Sequence, residues 1–157
     1  MQEDSLLVRG SEALSFTTTP TDTMRFLWAG DGSTPDVTEE RLAPGDGPPL
    51  HRHPWATWEV VIEGELLFRI GDEEFEVGPG DLIYAPPNVV HTFMAVGTEP
   101  ARLIGVNVPG GFHKLYAELA AAFTGDGPPD FGAMAVAAAR YGAEILGPPL
   151  AVSGGHQ

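Results

Sequence analysis

The sequence contains no cysteine among its 157 residues. This excludes disulfides, thiolate metal ligands and a cysteine nucleophile, so a metal site would have to use histidine or carboxylate side chains. There is also no run of about 18 apolar residues, and we therefore expect no membrane-spanning helix. The N-terminal sequence MQEDSLLVRG is acidic and lacks the apolar segment of a secretory signal, which predicts a cytoplasmic location.

Basic residues are scarce, with 8 Lys and Arg against 22 Asp and Glu, and the formal net charge is −14. So acidic a surface repels nucleic acid and anionic membranes, and neither is expected as a partner. The expected partner is a small-molecule substrate. The 20 glycines and 15 prolines separate short segments rich in β-branched and aromatic residues, a pattern typical of an all-β fold. The length is that of one domain with a sizeable core.

Two histidines, His51 and His53, stand one residue apart in the stretch 45–64. On an extended strand, residues i and i+2 point to the same face, so both imidazoles are directed at one point. A third histidine, His91, lies in a second patterned stretch, 80–96. An isolated histidine is more often a surface or core residue, but three in this setting predict a metal site at the mouth of a β-barrel.

These stretches resemble the two conserved motifs of the cupins. The first motif, G-x5-H-x-H-x3-E-x6-G, and the second, G-x5-P-x-G-x2-H-x3-N, are matched in register by Gly45, His51, His53, Gly64, Gly80, Pro86 and His91. Three positions depart from the pattern: Thr57 replaces the glutamate, Asn88 the second glycine and Ala95 the final asparagine. The segments GPPLHRH, GFHKLYAELA and RYGAEILGPPL are similar to short, single-domain quercetin-dioxygenase-like cupins of bacteria.

The resemblance implies an all-β cupin fold, a double-stranded β-helix or jelly-roll barrel, with two C-terminal α-helices packed on its outside. We assign residues 1–12 to an N-terminal arm, 13–109 to the barrel, 110–150 to a helical extension and 151–157 to a flexible tail. The N-terminal segments have the character of exposed edge strands that need cover, and small cupins tend to pair their barrel edges. A homodimer is therefore expected.

Three neutral imidazoles suit one divalent transition metal, which could be Fe, Ni, Zn, Mn, Co or Cu. In the cupin pattern the glutamate is often a fourth ligand or the base that deprotonates the substrate, and Thr57 can do neither well. Glu59 lies two residues further on and should share the face of Thr57. We therefore predict that Glu59 is a metal ligand or the catalytic base. The alternative is that the strand twists and leaves Glu59 in a solvated rim.

The remaining site assignments concern neighbours of the histidines. We expect a substrate pocket lined by Trp55, Thr57, Tyr84 and Phe93, although the aromatic residues fit the hydrophobic core equally well. A buried Glu59 needs a partner, for which the candidates are the metal, Arg102 or Tyr84. Arg52 stands between two ligands, so its side chain should point to the opposite face and form an ion pair.

The resemblance implies a metal-dependent dioxygenase acting on a small enolisable or aromatic compound. Two other functions use the same pocket. One is a redox-neutral cupin, an isomerase or cyclase of polyketide-like substrates, in which the metal only polarises a carbonyl. The other is a cupin that binds a small molecule without catalysis. The sequence does not separate these three.

Overall fold

The computed structural model describes residues 6–19, 21–123 and 128–150. The strands are β1 (Leu14–Thr19), β2 (Asp22–Trp28), β3 (Asp36–Leu42), β4 (Leu50–Arg52), β5 (Ala56–Glu63), β6 (Glu65–Ile70), β7 (Glu73–Val77), β8 (Leu82–Ala85), β9 (His91–Val96), β10 (Ala101–Val108) and β11 (Glu144–Gly147). The α-helices are α1 (His113–Ala121) and α2 (Phe131–Arg140). Residues 1–5 of the predicted arm and the predicted tail 151–157 lie outside the described residues.

The strands form two antiparallel sheets. One has the order β1-β2-β3-β10-β5-β8, and the other has the order β11-β4-β9-β6-β7. From β3 to β10, successive strands change sheet at every step except that from β6 to β7, which is the connectivity of a double-stranded β-helix. The core between them is made of residues from both sheets, among them Leu42, Val61, Leu66, Phe68, Phe93 and Leu103. The all-β barrel expected from the sequence is confirmed.

The alternation in β6 and β7 explains one face of this core. Leu66 and Phe68 are 0% and 2% exposed, as the period-2 pattern predicts. Leu67 points to the other face and is buried too, because Met94 and Leu150 pack against it. Phe75 lies opposite Phe68 on the same face, but it is 39% exposed because β7 is the end strand of its sheet.

The extended segment expected at His51 and His53 begins with the short strand β4. Its residues, Leu50–Arg52, follow two prolines and fall at the end of a stretch that resembles a loop. It becomes a strand through pairing: Arg52 lies opposite Glu144 of β11, and His51 lies opposite His91 of β9. Tertiary pairing, not local propensity, therefore makes this segment extended.

Two turn positions require a left-handed backbone. Gly64 has φ of 80°, and a Cβ there would lie 2.6 Å from the carbonyl oxygen of Pro100, so only glycine fits between β5 and β6. Asn88 has φ of 65° and occupies the position where the cupin pattern has glycine. Asparagine tolerates this conformation, as expected, so the departure from the motif leaves the turn before His91 intact.

The two helices pack on the outside of the barrel, as predicted. The Asp130 side chain caps α2 by accepting a hydrogen bond from the backbone N–H of Ala133 at 3.0 Å. Buried residues of both helices form a second hydrophobic cluster around Trp55, which includes Leu115 and Ala138. Within the described ranges, neither helix is long and apolar enough to cross a membrane.

The N-terminal strand β1 is an end strand of the six-stranded sheet, and its Leu14 is 46% exposed. An exposed end strand offers unpaired backbone groups to a second chain. We therefore predict a homodimer in solution. Light scattering at micromolar concentration should give twice the mass of one chain, and a monomeric mass would contradict the prediction.

Candidate metal centre

The three histidines converge although they come from different parts of the chain. His51 on β4 and His91 on β9 are directly paired in register, and their ring centroids are 4.3 Å apart. His53 follows β4, and its ring centroid lies 4.8 Å from that of His91. One ring nitrogen of each histidine lies within 4.8 Å of those of the other two. Arg52 points away from them and pairs with Glu144 at 2.9 Å, as expected.

Each imidazole is held in one tautomer by a backbone carbonyl. The Nδ1 atoms of His51, His53 and His91 lie 2.7, 2.9 and 2.9 Å from the carbonyl oxygens of residues 49, 55 and 89. Because a carbonyl oxygen can only accept, each Nδ1 carries the hydrogen and donates it. The Nε2 lone pairs are therefore left for a metal, in the arrangement that orients histidine ligands in metalloproteins.

The electrostatics of the three rings suit the same role. Burial, together with the neighbouring histidines, lowers the pKa of His51 well below its usual value. Burial lowers the pKa of His53 to about 4, with a further contribution from His91. Burial also lowers the pKa of His91. All three rings are thus neutral near pH 7, which is the protonation state that binds a metal. The residues present therefore fit a divalent transition metal.

Thr57 and Glu59 both line the cavity next to the histidines, since they share one face of β5. Thr57 donates a hydrogen bond to Oδ1 of Asn107 at 2.7 Å. Within the described ranges, the group close enough to share a metal consists of the three histidines alone, and Glu59 is outside it. Its role as ligand or base stays a prediction.

Glu59 has none of the protein partners suggested by the sequence. Arg102 instead binds Glu39, with its Nε 2.7 Å from Oε2. The Oε2 atom of Glu59 is buried without a hydrogen-bond partner among the described residues. Burial raises the pKa of Glu59 to about 8, so this carboxyl group holds a proton near neutral pH.

The histidines open into a cavity of about 160 Å³. Three of the four predicted pocket residues, Trp55, Thr57 and Phe93, line it. Trp55 belongs both to the hydrophobic core and to the lining of the cavity. It is 4% exposed, and its ring stacks in parallel on that of His53 with 4.1 Å between the ring centroids. Helix α1 and the start of β11 close the opening with apolar side chains, among them Leu115 and Ile145.

Tyr84 is the one predicted pocket residue that lies elsewhere. It is 43% exposed and stacks on Trp58 at 4.9 Å. Tyr84 and Trp58 are register partners of β8 and β5, so both side chains stand on the outer face of the sheet. The alternation that directs Thr57 and Glu59 inward therefore directs Tyr84 outward.

The sequence analysis missed several polar residues of the cavity, and three of them are ionisable groups that interact electrostatically with one another. These three are Asp22 on β2, Glu40 on β3 and Tyr116 on α1. A signal for Glu40 existed in the Glu39–Glu40 pair, since neighbouring residues of a strand point to opposite faces and one of the two had to point inward. The sequence held no comparable signal for Asp22 or Tyr116, because strands and helices distant from the motif bring them to the cavity.

Comparison with known proteins agrees with this fold and site. The cupin domain family model matches residues 38–107. An uncharacterized protein of Methanocaldococcus jannaschii is 33% identical over 67 residues, which are 41% of this chain and 53% of that protein. The quercetin 2,3-dioxygenase of Bacillus subtilis is 28% identical over 76 residues, which are 48% of this chain and 22% of that enzyme.

Among solved structures, an RmlC-like cupin from Shewanella frigidimarina superposes with a TM-score of 0.61 at 19% identity, covering 70% of this chain and 96% of that one. The described residues thus have the cupin fold, with a three-histidine group suited to a metal. The chain spans 53% and 22% of the length of the two curated relatives. Matches over part of a relative's length do not show that this protein has that relative's activity.

Proposed function

We propose that this protein is a metal-dependent enzyme of the dioxygenase type, acting on a small enolisable or aromatic compound. The observation that carries the proposal is the group of three neutral, carbonyl-oriented histidines opening into a largely apolar cavity. The similarity to quercetin 2,3-dioxygenase supports it. The protein's expected place is the cytoplasm, where a divalent metal and small-molecule substrates are both available.

Three protein ligands leave open positions, and a divalent metal bound there would supply Lewis-acid or redox chemistry to a substrate oxygen. The chain contributes the remaining requirements. His51, His53 and His91 orient their Nε2 atoms, and Trp55 and Phe93 exclude water from the cavity. Glu59 is placed to accept or hold a proton at its unpartnered Oε2.

The test has two stages. Protein purified without added metal is first analysed by mass spectrometry, and we expect about one divalent transition metal per chain. Oxygen uptake is then measured with enolisable and phenolic single-ring compounds. Turnover without oxygen would favour a redox-neutral isomerase or cyclase instead, and binding without turnover in either condition would leave a ligand-binding cupin. A metal-free protein that binds no added metal would contradict the proposal.

The role of Glu59 is tested by comparing Glu59→Gln with Thr57→Val. We expect Glu59→Gln to lower metal occupancy or oxygen uptake about tenfold or more, because it removes the one ionisable group on this face of β5. Thr57→Val should have a smaller effect, since Thr57 is already engaged with Asn107. If Glu59→Gln matches the wild type in both measurements, Glu59 has no part in the chemistry.

A further inference from the structure

The cavity has a second polar group besides the histidines. Asp22, Glu40 and Glu59 all line it, and we call these three side chains the acidic pole. Asp22 and Glu40 are 4% and 5% exposed, and each carboxyl group influences the pKa of the other. Since two buried carboxyl groups close to each other disfavour double ionisation, this pair tends to retain a proton in the absence of a ligand.

Two oxygen atoms of the acidic pole have no partner. Oδ1 of Asp22 and Oε2 of Glu59 are buried and make no hydrogen bond among the described residues. A buried polar atom left unpaired costs about 1–3 kcal/mol, so it commonly marks a place where a ligand completes the bonding. The cavity beside these atoms is the space that such a ligand would fill.

Strand β3, which carries Glu40, also carries a buried carboxylate whose charge is compensated by ion pairs. Glu39, the neighbour of Glu40, has a side chain only 3% exposed, and it pairs with Arg25, Arg41 and Arg102. Burial alone would raise its pKa, but the three arginines lower the pKa of Glu39 below its usual value. Glu39 is therefore ionised and internally compensated.

The acidic pole receives no such compensation. All eight lysines and arginines belong to the described ranges, and none of them lines the cavity. Within the described ranges, the group of side chains arranged to share a metal ion is the histidine triad, and the three acidic groups are not arranged as a second one. The counter-charge for the acidic pole must therefore come from protons or from the ligand.

We propose that the acidic pole binds the ammonium group of a single-ring substrate whose other end faces the three histidines, and that the cavity rejects anionic compounds. A cavity of about 160 Å³ is close to the size that holds one benzene-sized ring, and its wall is largely apolar. The net charge of −14 favours a cation further. This inference rests on the proposed function only in taking the cavity as the substrate site.

The proton content of the pole sets the expected pH dependence. Burial raises the pKa of Asp22 to about 7, and burial, Asp22 and Glu59 raise the pKa of Glu40 well above its usual value. Asp46 and Tyr116 also face the pair, and Asp46 raises both carboxyl pKa values further. An ammonium ligand must displace a proton from the pole, so its affinity should rise from about pH 6 to about pH 8.

The experiment measures binding of benzylamine, benzyl alcohol and benzoate by calorimetry to the full chain, as purified and after zinc loading. At about pH 8 we expect benzylamine to bind at least about tenfold more tightly than benzyl alcohol, with benzoate weakest.

Asp22→Asn should reduce the amine affinity about tenfold and leave metal content unchanged. Glu40→Gln is the second variant, for use if Asp22→Asn folds poorly. Asp81→Asn, which removes one charge from an exposed turn, is the control and should change nothing.

Equal affinity for benzylamine and benzyl alcohol would overturn the proposal, as would an amine affinity that falls with rising pH. The second result would mean that the carboxyl groups act as neutral donors to a hydroxyl or carbonyl group. Failure of this inference leaves metal content and oxygen uptake as they were. Failure of the proposed function, with no metal bound or no turnover, leaves the amine preference in place, so the two results are distinguishable.

Discussion

Replacing His91 by alanine should remove most of the metal from the protein. His91 is the centre of the triad, because its ring lies 4.3 Å from His51 and 4.8 Å from His53. Loss of an outer partner of a metal ligand lowers affinity about 10–100-fold, so loss of one of three ligands should exceed about 100-fold. Metal content by mass spectrometry after dialysis and the affinity for zinc by competition with a chelator would measure this.

His113→Asn provides the matched control. His113 is outside the triad: it begins α1, and its ring packs edge-on against that of Phe26 with 6.1 Å between the ring centroids. We expect this variant to keep its metal. Circular dichroism should show that both variants retain the β-sheet spectrum. Stoichiometric metal in the triple variant His51→Ala, His53→Ala and His91→Ala would place the metal elsewhere in the protein.

Replacing Phe68 by alanine should produce a large loss of stability. Phe68 is 2% exposed at the centre of the core, and its ring stacks on that of Phe93 at 4.8 Å. Removing a buried phenylalanine side chain costs about 3–5 kcal/mol, because apolar burial is lost and a void remains. Urea denaturation should show this as a lower midpoint. Since Phe93 also lines the cavity, the variant should bind ring compounds more weakly.

Phe75→Ala tests whether the effect depends on burial. Phe75 lies directly opposite Phe68 in the ladder between β6 and β7, but it is 39% exposed on the end strand. We expect a loss of about 1–2 kcal/mol, in proportion to the smaller apolar area buried. Equal losses for the two variants would show that the core does not depend on Phe68 in the way its packing indicates.

The fold was accessible from the sequence because its local signals agree with one another. The alternation around Leu66 and Phe68, the glycine turn at Gly64 and the asparagine turn at Asn88 each act over a few residues. Such local preferences predict short strands and their connections without knowledge of distant contacts. The Asp130 cap at the start of α2 is a local signal of the same kind.

The pairing partners of the short strand β4 were not accessible in this way. Leu50–Arg52 is extended because β9 and β11 pair with it from either side. Tyr84 was misplaced for a related reason: whether an aromatic residue of a short strand faces inward depends on its register against β5, where it lies opposite Trp58. Register is a property of two strands together, and one residue of slip reverses every side chain.

The sequence by itself determined the cupin pattern, the three histidines, the inward face shared by Thr57 and Glu59, and the acidic charge of the molecule. The tertiary structure alone decided that Arg102 compensates Glu39, and that Asp22 and Glu40 meet Glu59 in the cavity without a basic partner. The physical reason is the distance along the chain over which each kind of signal acts. Motifs and alternation are read within one segment, whereas the charge and free volume of a cavity are sums over β2, β3, β5 and α1, which only folding brings together.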